Sequence, residues 1–198
     1  GQEVFHLRGL MLYGSFWGDG AERGPDFTAE ALHRTGVAMR SFYEQQAGGN
    51  LAQYDKDAID VRVIREIKTN TWNESAKQIV INDAQIHAFN ELKAHYTRMF
   101  NDPEYEEAFK PSGAISAPED IEALTAFFFW GGWVSGAERP GQTYSYTHNW
   151  PYDPSTGNLP TNQTMVWSFI SIFGLFLGIL VILYVYGQFK EEGDPFTG

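Results

Sequence analysis

The chain has 198 residues, a formal net charge of −11 and an aromatic content of 16%. This length suits one compact domain plus a membrane anchor, and the acidic balance without a basic cluster argues against a nucleic-acid partner. Cysteine is absent and the five histidines show no zinc-type spacing, which excludes disulfides, thiolate catalysis, iron–sulfur clusters and covalently attached haem, and argues against a zinc site.

Hydrophobic periodicity and capping residues predict a mostly α domain with one small β-hairpin ahead of the membrane segment. The first predicted elements are a short helix over 1–12, a glycine-rich loop over 14–20 and a second helix capped by Asp26 or Thr28. A third helix over 55–68 and a hairpin over 69–81 follow. A fourth helix is predicted from Asn82 to about Phe100, and a fifth helix ends in the apolar run 127–133. Asn82–Gln85 and Ser116–Glu119 both have the sequence of a capping box. We expect this domain to span 1–135 and to be followed by an aromatic loop over 136–163.

One segment has the composition of a membrane span. Residues 165–187 carry no charge, and at ~1.5 Å per residue they extend roughly 34 Å, enough to cross the hydrocarbon core of a bilayer. Trp167 near one end, and Tyr184 and Tyr186 near the other, lie where an aromatic belt forms. We therefore predict a transmembrane helix over 164–188.

The sequence also gives an orientation and a packing face for this helix. Lys190 is the single positive charge at the boundary, and the positive-inside rule then places residues 189–198 as a short cytoplasmic tail and the main domain outside the cytoplasmic membrane of a bacterium or archaeon. Gly174 and Gly178 form a GxxxG step on which another helix can pack closely. The alternative is glycine at its ordinary frequency in membrane helices.

The first thirty residues have the frame of a class I cytochrome c without its haem motif. The chain opens as Gly1-Gln-Glu-Val-Phe5, and Gly24-Pro-Asp-Phe27 closes the glycine-rich loop. Between them, Leu10 and Tyr13 occupy the two cysteine positions and Gly14 occupies the axial histidine position. Covalent haem attachment is therefore chemically impossible. We expect apolar residues to fill the vacated volume, because an empty cavity costs ~24 cal/mol per Å³.

Five further segments of the chain have a distinctive composition: Gly18-Asp-Gly-Ala21, Arg23-Gly-Pro-Asp-Phe-Thr-Ala29, Arg139-Pro-Gly141, Tyr144-Ser-Tyr-Thr-His-Asn-Trp-Pro151 and Gly157-Asn-Leu-Pro-Thr161. Together they resemble the corresponding segments of the single-chain quinol-dependent nitric oxide reductases. The resemblance runs in order from residue 1 into the membrane helix. It implies a haemless cytochrome-c-like domain outside the membrane, followed by one transmembrane helix that packs on a multi-span catalytic core.

The resemblance also implies the reaction and the division of labour. The family reduces two molecules of nitric oxide to nitrous oxide and water, and its haem b groups and non-haem iron need histidines and a glutamate on membrane helices. The single predicted membrane helix here has neither. The chain is then a non-catalytic small subunit or N-terminal part, with the core as a separate subunit or a C-terminal continuation and with quinol reaching the complex through the core. The alternatives are the same role in a nitric oxide dismutase-like relative, and a membrane-tethered scaffold or sensor.

The resemblance assigns two groups of site residues. Calcium in the family bridges the outer domain and the core, and the matching positions here are Gly20 and Glu22, for which a solvated loop is the alternative reading. The residues expected to pack on the partner core are Tyr144, Tyr146, Trp150, Trp167, Gly174 and Gly178. No cofactor is expected to be bound covalently.

Overall fold

The computed structural model describes residues 1–48, 50–102 and 115–192, with side chains described as far as Phe189. Its helices are α1 (Gln2–Leu7), α2 (Phe27–Gln46), α3 (Gln53–Lys68), α4 (Asp83–Asn101), α5 (Pro118–Gly136) and α6 (Asn162–Glu192). Its strands form two antiparallel hairpins, β1 (Ser15–Phe16) with β2 (Asp19–Gly20), and β3 (Trp72–Asn73) with β4 (Gln78–Ile79). The prediction of a mostly α fold with a small hairpin at 69–81 is confirmed, whereas the β1–β2 hairpin was not predicted.

The chain divides into two compact units, Gly1–Leu159 and Pro160–Gly198. The first unit contains α1 to α5, both hairpins and most of the aromatic loop. The second contains α6, in which Asn162–Phe189 is long and apolar enough to cross a membrane, and in the described part of the chain α6 alone meets that criterion. The helix predicted over 164–188 is thus present within α6 and is a candidate membrane span, while most of the predicted tail lies outside the described residues.

Local capping explains where the helices begin. Asp26 caps α2, since its side chain accepts hydrogen bonds from the amides of Thr28 and Ala29. The capping box predicted at the start of α4 is confirmed, with the side chains of Asn82 and Gln85 each accepting from the other's backbone amide.

Two predictions near helix starts are wrong. The capping box at Ser116–Glu119 does not form, because Ala117 is the N-cap residue of α5 and Pro118 takes the first helical position, where its missing amide costs nothing. The predicted helix over 1–12 is also interrupted. Gly9 adopts a left-handed conformation (φ +62°) between α1 and a separate 3₁₀ turn at Leu10–Leu12, and this conformation ends a helix.

The core of the first unit lies where α2 packs against α4 and α5. One cluster is dominated by aromatic rings from α1, α2, α4 and α5, and a second fills the space between α2, α3 and α4. The largest fully buried side chains are Tyr96, Phe5, Phe27, Phe128, Leu10, Leu32 and Met39. The first cluster lies beside the residues in the haem-motif positions, so it sets what those positions can hold.

Candidate functional site at the former haem-motif positions

The three haem-motif positions are incompatible with a bound haem. Leu10 is fully buried in the aromatic cluster, at 0% exposure. Gly14 is buried too, and a Cβ atom added to it would lie 2.5 Å from the carbonyl oxygen of Pro25 and 2.7 Å from a ring carbon of Phe27. No side chain, and hence no axial histidine, fits at position 14 without a local rearrangement. Tyr13 is partly buried.

Aromatic rings fill the space beside these positions. Phe27 stacks on Phe128 with ring centroids 4.5 Å apart and an interplanar angle of 3°. Phe5 contacts both rings edge-on, at 5.9 Å from each. Phe16 stacks on Phe127 at 4.4 Å. The space beside Leu10 and Gly14 is therefore packed with aromatic rings, and the described residues offer no cysteine to attach a c-type haem.

Asp26 joins the β1–β2 hairpin to the start of α2. Its Oδ1 atom accepts from the amides of Thr28 and Ala29, at 3.0 and 2.9 Å, and so caps the helix. Its Oδ2 atom accepts from the hydroxyl of Ser15 and the amide of Gly18, both at 2.7 Å. One carboxylate therefore fixes both the direction of α2 and the position of the hairpin turn.

The turn of this hairpin holds a tryptophan in an unusual conformation. Trp17 and Gly18 both have positive φ, 53° and 79°, as a two-residue hairpin turn requires, but asparagine is the usual first residue and a bulky side chain there is strained. The indole of Trp17 donates to the hydroxyl of Ser135 at 3.2 Å and lies 5.4 Å from the ring of Trp130. Since Trp17 is 38% and Trp130 is 39% exposed, the hairpin and α5 present a pair of indoles at the surface.

Lys68, the last residue of α3, organises the aromatic loop from within. Its ammonium donates to the side-chain oxygens of Asn149 and Asn158, at 3.1 and 2.5 Å. The amides of these asparagines in turn donate to the carbonyls of Leu159 and Ser135. Burial lowers the pKa of Lys68 to about 8, while the nearby charge of Glu138 partly opposes the shift. The loop is thus held by a cation whose charge is costly to bury.

Two further contacts hold the loop against α2 and α3. Arg40 on α2 donates to the carboxylate of Asp60 on α3 and to the carbonyl of Ser155. His33 on α2 lies 3.1 Å from the carboxylate of Asp153. Burial alone would raise the pKa of Asp153, but hydrogen bonds from Ser155 and His33 together lower it. Polar contacts at three places therefore make the loop part of the first unit.

The aromatic residues predicted to pack on a partner have different environments within this loop. Tyr144 stacks on His148 at 4.6 Å. The hydroxyl of Tyr146 accepts from Asn70 at 3.0 Å, and its ring is partly exposed. Trp150 is half-buried against the turn of the β1–β2 hairpin, 3.6 Å from the Cβ position of Gly18. The loop and the hairpin therefore form one continuous aromatic surface.

The residues predicted on the membrane helix belong to the second unit. Trp167 is exposed, and a Cβ atom added to Gly174 or Gly178 would meet nothing within 4 Å. The structure leaves the GxxxG face open.

The two predicted calcium positions lie at the end of the β1–β2 hairpin. Gly20 and Glu22 are both exposed. Gly20 has φ +140°, and a Cβ atom there would lie 2.5 Å from the carbonyl oxygen of Gly14, so packing alone already requires glycine. In the described residues, no group of three or more His, Asp or Glu side chains is arranged to hold a metal. A calcium ion needs about six to eight oxygen ligands, so Gly20 and Glu22 could supply only part of such a site.

A buried contact between a histidine and a carboxylate joins α2 to α4, and nothing in the local sequence indicates it. The Nε2 atom of His95 lies 2.9 Å from the carboxylate of Glu30, which also accepts from Arg34 at 3.0 Å. Burial alone would raise the pKa of Glu30, but the hydrogen bond and charge of His95, with those of Arg34, lower it overall. The pair lines a groove of about 670 Å³ between α2 and α4.

These features define a class of protein: a mostly helical domain whose N-terminal segment packs on a cluster of stacked aromatic rings, in a chain that also carries a candidate membrane helix. Residues 1–152 match the family described as the NorB cytochrome c-like domain of nitric oxide reductase. The chain belongs to this family. None of the curated proteins matches it.

Proposed function

We propose that this chain is the non-catalytic part of a quinol-dependent nitric oxide reductase, anchored in the membrane with its domain on the extracytoplasmic side. It packs on and stabilises a multi-span core that holds haem b and non-haem iron. The observation that carries the proposal is the geometry at Gly14, where the carbonyl of Pro25 and the ring of Phe27 leave no room for an axial ligand.

A domain that holds no haem limits which electron donors the complex can use. A domain without haem has no redox centre through which a soluble cytochrome can pass electrons to the core. Electrons must then enter from the membrane, and a quinol is a donor that the membrane itself supplies. Because the described residues of α6 include no histidine and no carboxylate before Glu191, the metal ligands of the reaction belong to the core.

The surface for that core is the continuous aromatic face of the hairpin, α5 and the loop. Trp17 and Trp130 lie side by side there, and Tyr146 is partly exposed beside Trp133, with ring centroids 6.2 Å apart. Amphipathic aromatic rings of this kind suit an interface at the membrane surface. Gly174 and Gly178 would supply the helix-packing step within the membrane. Gly20 and Glu22 would contribute to a calcium site completed by the core.

The test is purification of the tagged chain from mild-detergent membranes, with a visible absorption spectrum and mass spectrometry of what is retained. We expect b-type haem and a multi-span partner or C-terminal continuation. Trp130→Ser should reduce the retained haem several-fold, whereas Trp72→Ser should not. Trp72 is a fair control because it is 42% exposed but lies on the β3–β4 hairpin.

The same preparation separates the alternatives. Nitrous oxide as the product of quinol and nitric oxide supports the reductase, whereas dinitrogen with oxygen would assign the chain to a dismutase-like relative. A colourless chain that purifies alone would contradict the proposal and leave a tethered scaffold or sensor.

A further inference from the structure

A cleft at the end of α3 gathers positive charge on an acidic protein. The cleft has a volume of about 590 Å³ and lies between the last turns of α3 and residues 138–142. Arg65, Lys68 and Arg139 line it together with one carboxylate, Glu138. The chain as a whole has a net charge of −11, so this concentration of cations needs an explanation.

These cations are not neutralised within the described residues. Six of the lysines and arginines there form ion pairs with Asp or Glu, at up to 3.0 Å. Those without such a pair are Arg23, Lys56, Arg65, Lys68, Arg98 and Arg139, so half of them line this single cleft.

Helix capping accounts for only part of the cluster. Arg65 and Lys68 lie in the last turn of α3, where cations interact favourably with the helix dipole. Arg139 is not on that helix; it follows α5, and its Nη2 atom donates to the carbonyl of Tyr146 at 2.7 Å. Its Nε atom is buried without a hydrogen-bond acceptor in the described part of the chain. A buried donor without an acceptor costs free energy, so a hydrogen bond from the guanidinium to an oxyanion would be favourable.

Chain connectivity limits the distance between Asn158, which contacts this cleft through Lys68, and the first residue of the candidate membrane helix. Lys68 binds the side chain of Asn158, and the candidate membrane helix begins only four residues later, at Asn162. Four residues reach at most about 14 Å whatever their conformation. The anion available in quantity at that depth is the phosphate of a phospholipid headgroup.

We propose that the cleft lined by Arg65, Lys68 and Arg139 binds the phosphate of an anionic phospholipid headgroup. Arg65 and Arg139 supply guanidinium donors, which suit phosphate geometry, and Lys68 supplies a point charge. The site adjoins the aromatic face through the hydrogen bond from Arg139 to Tyr146, but it does not depend on the proposed reductase function. It ties the aromatic loop to the lipid surface next to the membrane helix.

The test uses the full chain in non-ionic detergent and short-chain dihexanoyl phosphatidylglycerol as the probe, with binding followed by NMR shifts of the Lys68 side chain. We expect saturable binding and a rise in the pKa of Lys68 from about 8, because the anion favours its charged form. Arg65→Gln should weaken binding about tenfold, or about 1.4 kcal/mol. Arg65 is suited to substitution because its side chain is exposed and forms no ion pair among the described residues. Lys56→Gln, which removes the same charge from the first turns of α3, should leave the affinity unchanged.

Each remaining outcome counts against the proposal. Equal binding of inorganic phosphate would make this a free-phosphate site, and equal binding of dihexanoyl phosphatidylcholine would show that acyl chains alone are recognised. Equal effects of Arg65→Gln and Lys56→Gln would reduce the interaction to net charge. A Lys68 pKa that does not change with lipid would remove the cleft from consideration.

Discussion

Removing the carboxylate of Asp26 should destabilise the first unit more than any other single surface-charge change. Asp26→Ala deletes the cap of α2, which contributes about 1 kcal/mol and up to about 2. It also deletes the bonds from Ser15 and Gly18, each to a charged acceptor and worth about 1.5–3 kcal/mol. Because the four bonds share one carboxylate they are not additive, and we expect a total loss of about 3–4 kcal/mol. That is a large part of the stability of a typical domain, about 5–15 kcal/mol.

The measurement is urea denaturation of the full chain in detergent, followed by near-ultraviolet circular dichroism, with amide exchange at Trp17 and Gly18. Both amides donate to this region, Trp17 to the hydroxyl of Thr28 and Gly18 to Asp26, so both should lose protection. Asp19→Ala is the matched control, because Asp19 lies in the same hairpin and is exposed. Asp26→Asn should be intermediate, since an amide keeps one acceptor oxygen and loses the other.

Two results would refute this reasoning. If Asp26→Ala and Asp19→Ala lowered the free energy of unfolding equally, the effect would come from charge and not from the four bonds. If Asp26→Ala unfolded α2 while protection at Gly18 persisted, the carboxylate would act as a helix cap alone.

Three further changes test other parts of the domain. Gly14→Ala should lower the free energy of unfolding by about 1–3 kcal/mol, because the added methyl group overpacks against Pro25 and Phe27. Gly174→Ala should not destabilise the chain, because a Cβ atom there meets nothing within 4 Å. A variant that combines Gly14→His with Leu10→Cys and Tyr13→Cys should show no haem absorption band after expression with a c-type maturation system. Burial lowers the pKa of Lys68 from 10.5 to about 8, so the unfolded chain binds more protons between these values and stability should rise with pH there, by about 1 kcal/mol after solvent screening. The rise should be absent in Lys68→Met. It should be measured below about pH 9, where Tyr43, whose pKa is raised from 10.0 to about 12 in the fold, is mostly protonated in both states. Burial alone would raise the pKa of Glu30, but His95 and Arg34 lower it overall. Its contribution to stability should therefore be present above its ordinary pKa of 4.5 and lost as the pH falls through the lower pKa of the folded state. In thermal unfolding measured against pH, Glu30→Gln should lack this loss of stability in acid.

The features that the sequence predicts well are those decided by neighbouring residues. The caps at Asp26 and Asn82 and the β3–β4 hairpin depend on side chains within a few positions of each other. The start of α5 was displaced by one residue because the fixed φ of Pro118 favours the first helical position over the capping pattern of Ser116.

The β1–β2 hairpin was not predicted because its two-residue turn begins with tryptophan, a residue type that such turns rarely contain. Local rules predict asparagine or glycine where Trp17 stands, and only tertiary contacts overcome that preference. Those contacts, from Thr28 and Ser135, come from positions 11 and 118 residues away.

Polar contacts between residues far apart in the chain could not be predicted from the sequence either. From the sequence, Lys68 is a cation in the last turn of a helix and nothing distinguishes it from others of that kind. Its hydrogen-bond partners nevertheless lie 81 and 90 residues further along the chain. Glu30 and His95 are 65 residues apart, and neither has a flanking motif. The polar groups that organise the loop and the groove therefore become apparent only from the packing of α2, α3 and α4.

Three glycines between α1 and α2 lie against neighbouring backbone with no room for a side chain. A Cβ atom on Gly20 would meet the carbonyl oxygen of Gly14 at 2.5 Å, and one on Gly24 would meet that of Tyr13 at 2.6 Å. Gly14 is in the same close relation to Pro25. Backbone packed this tightly leaves no cavity to refill, because interiors at crystal-like density transmit any added atom as strain. A side chain at any of these three positions would therefore require this loop and the stacked rings beside it to repack together.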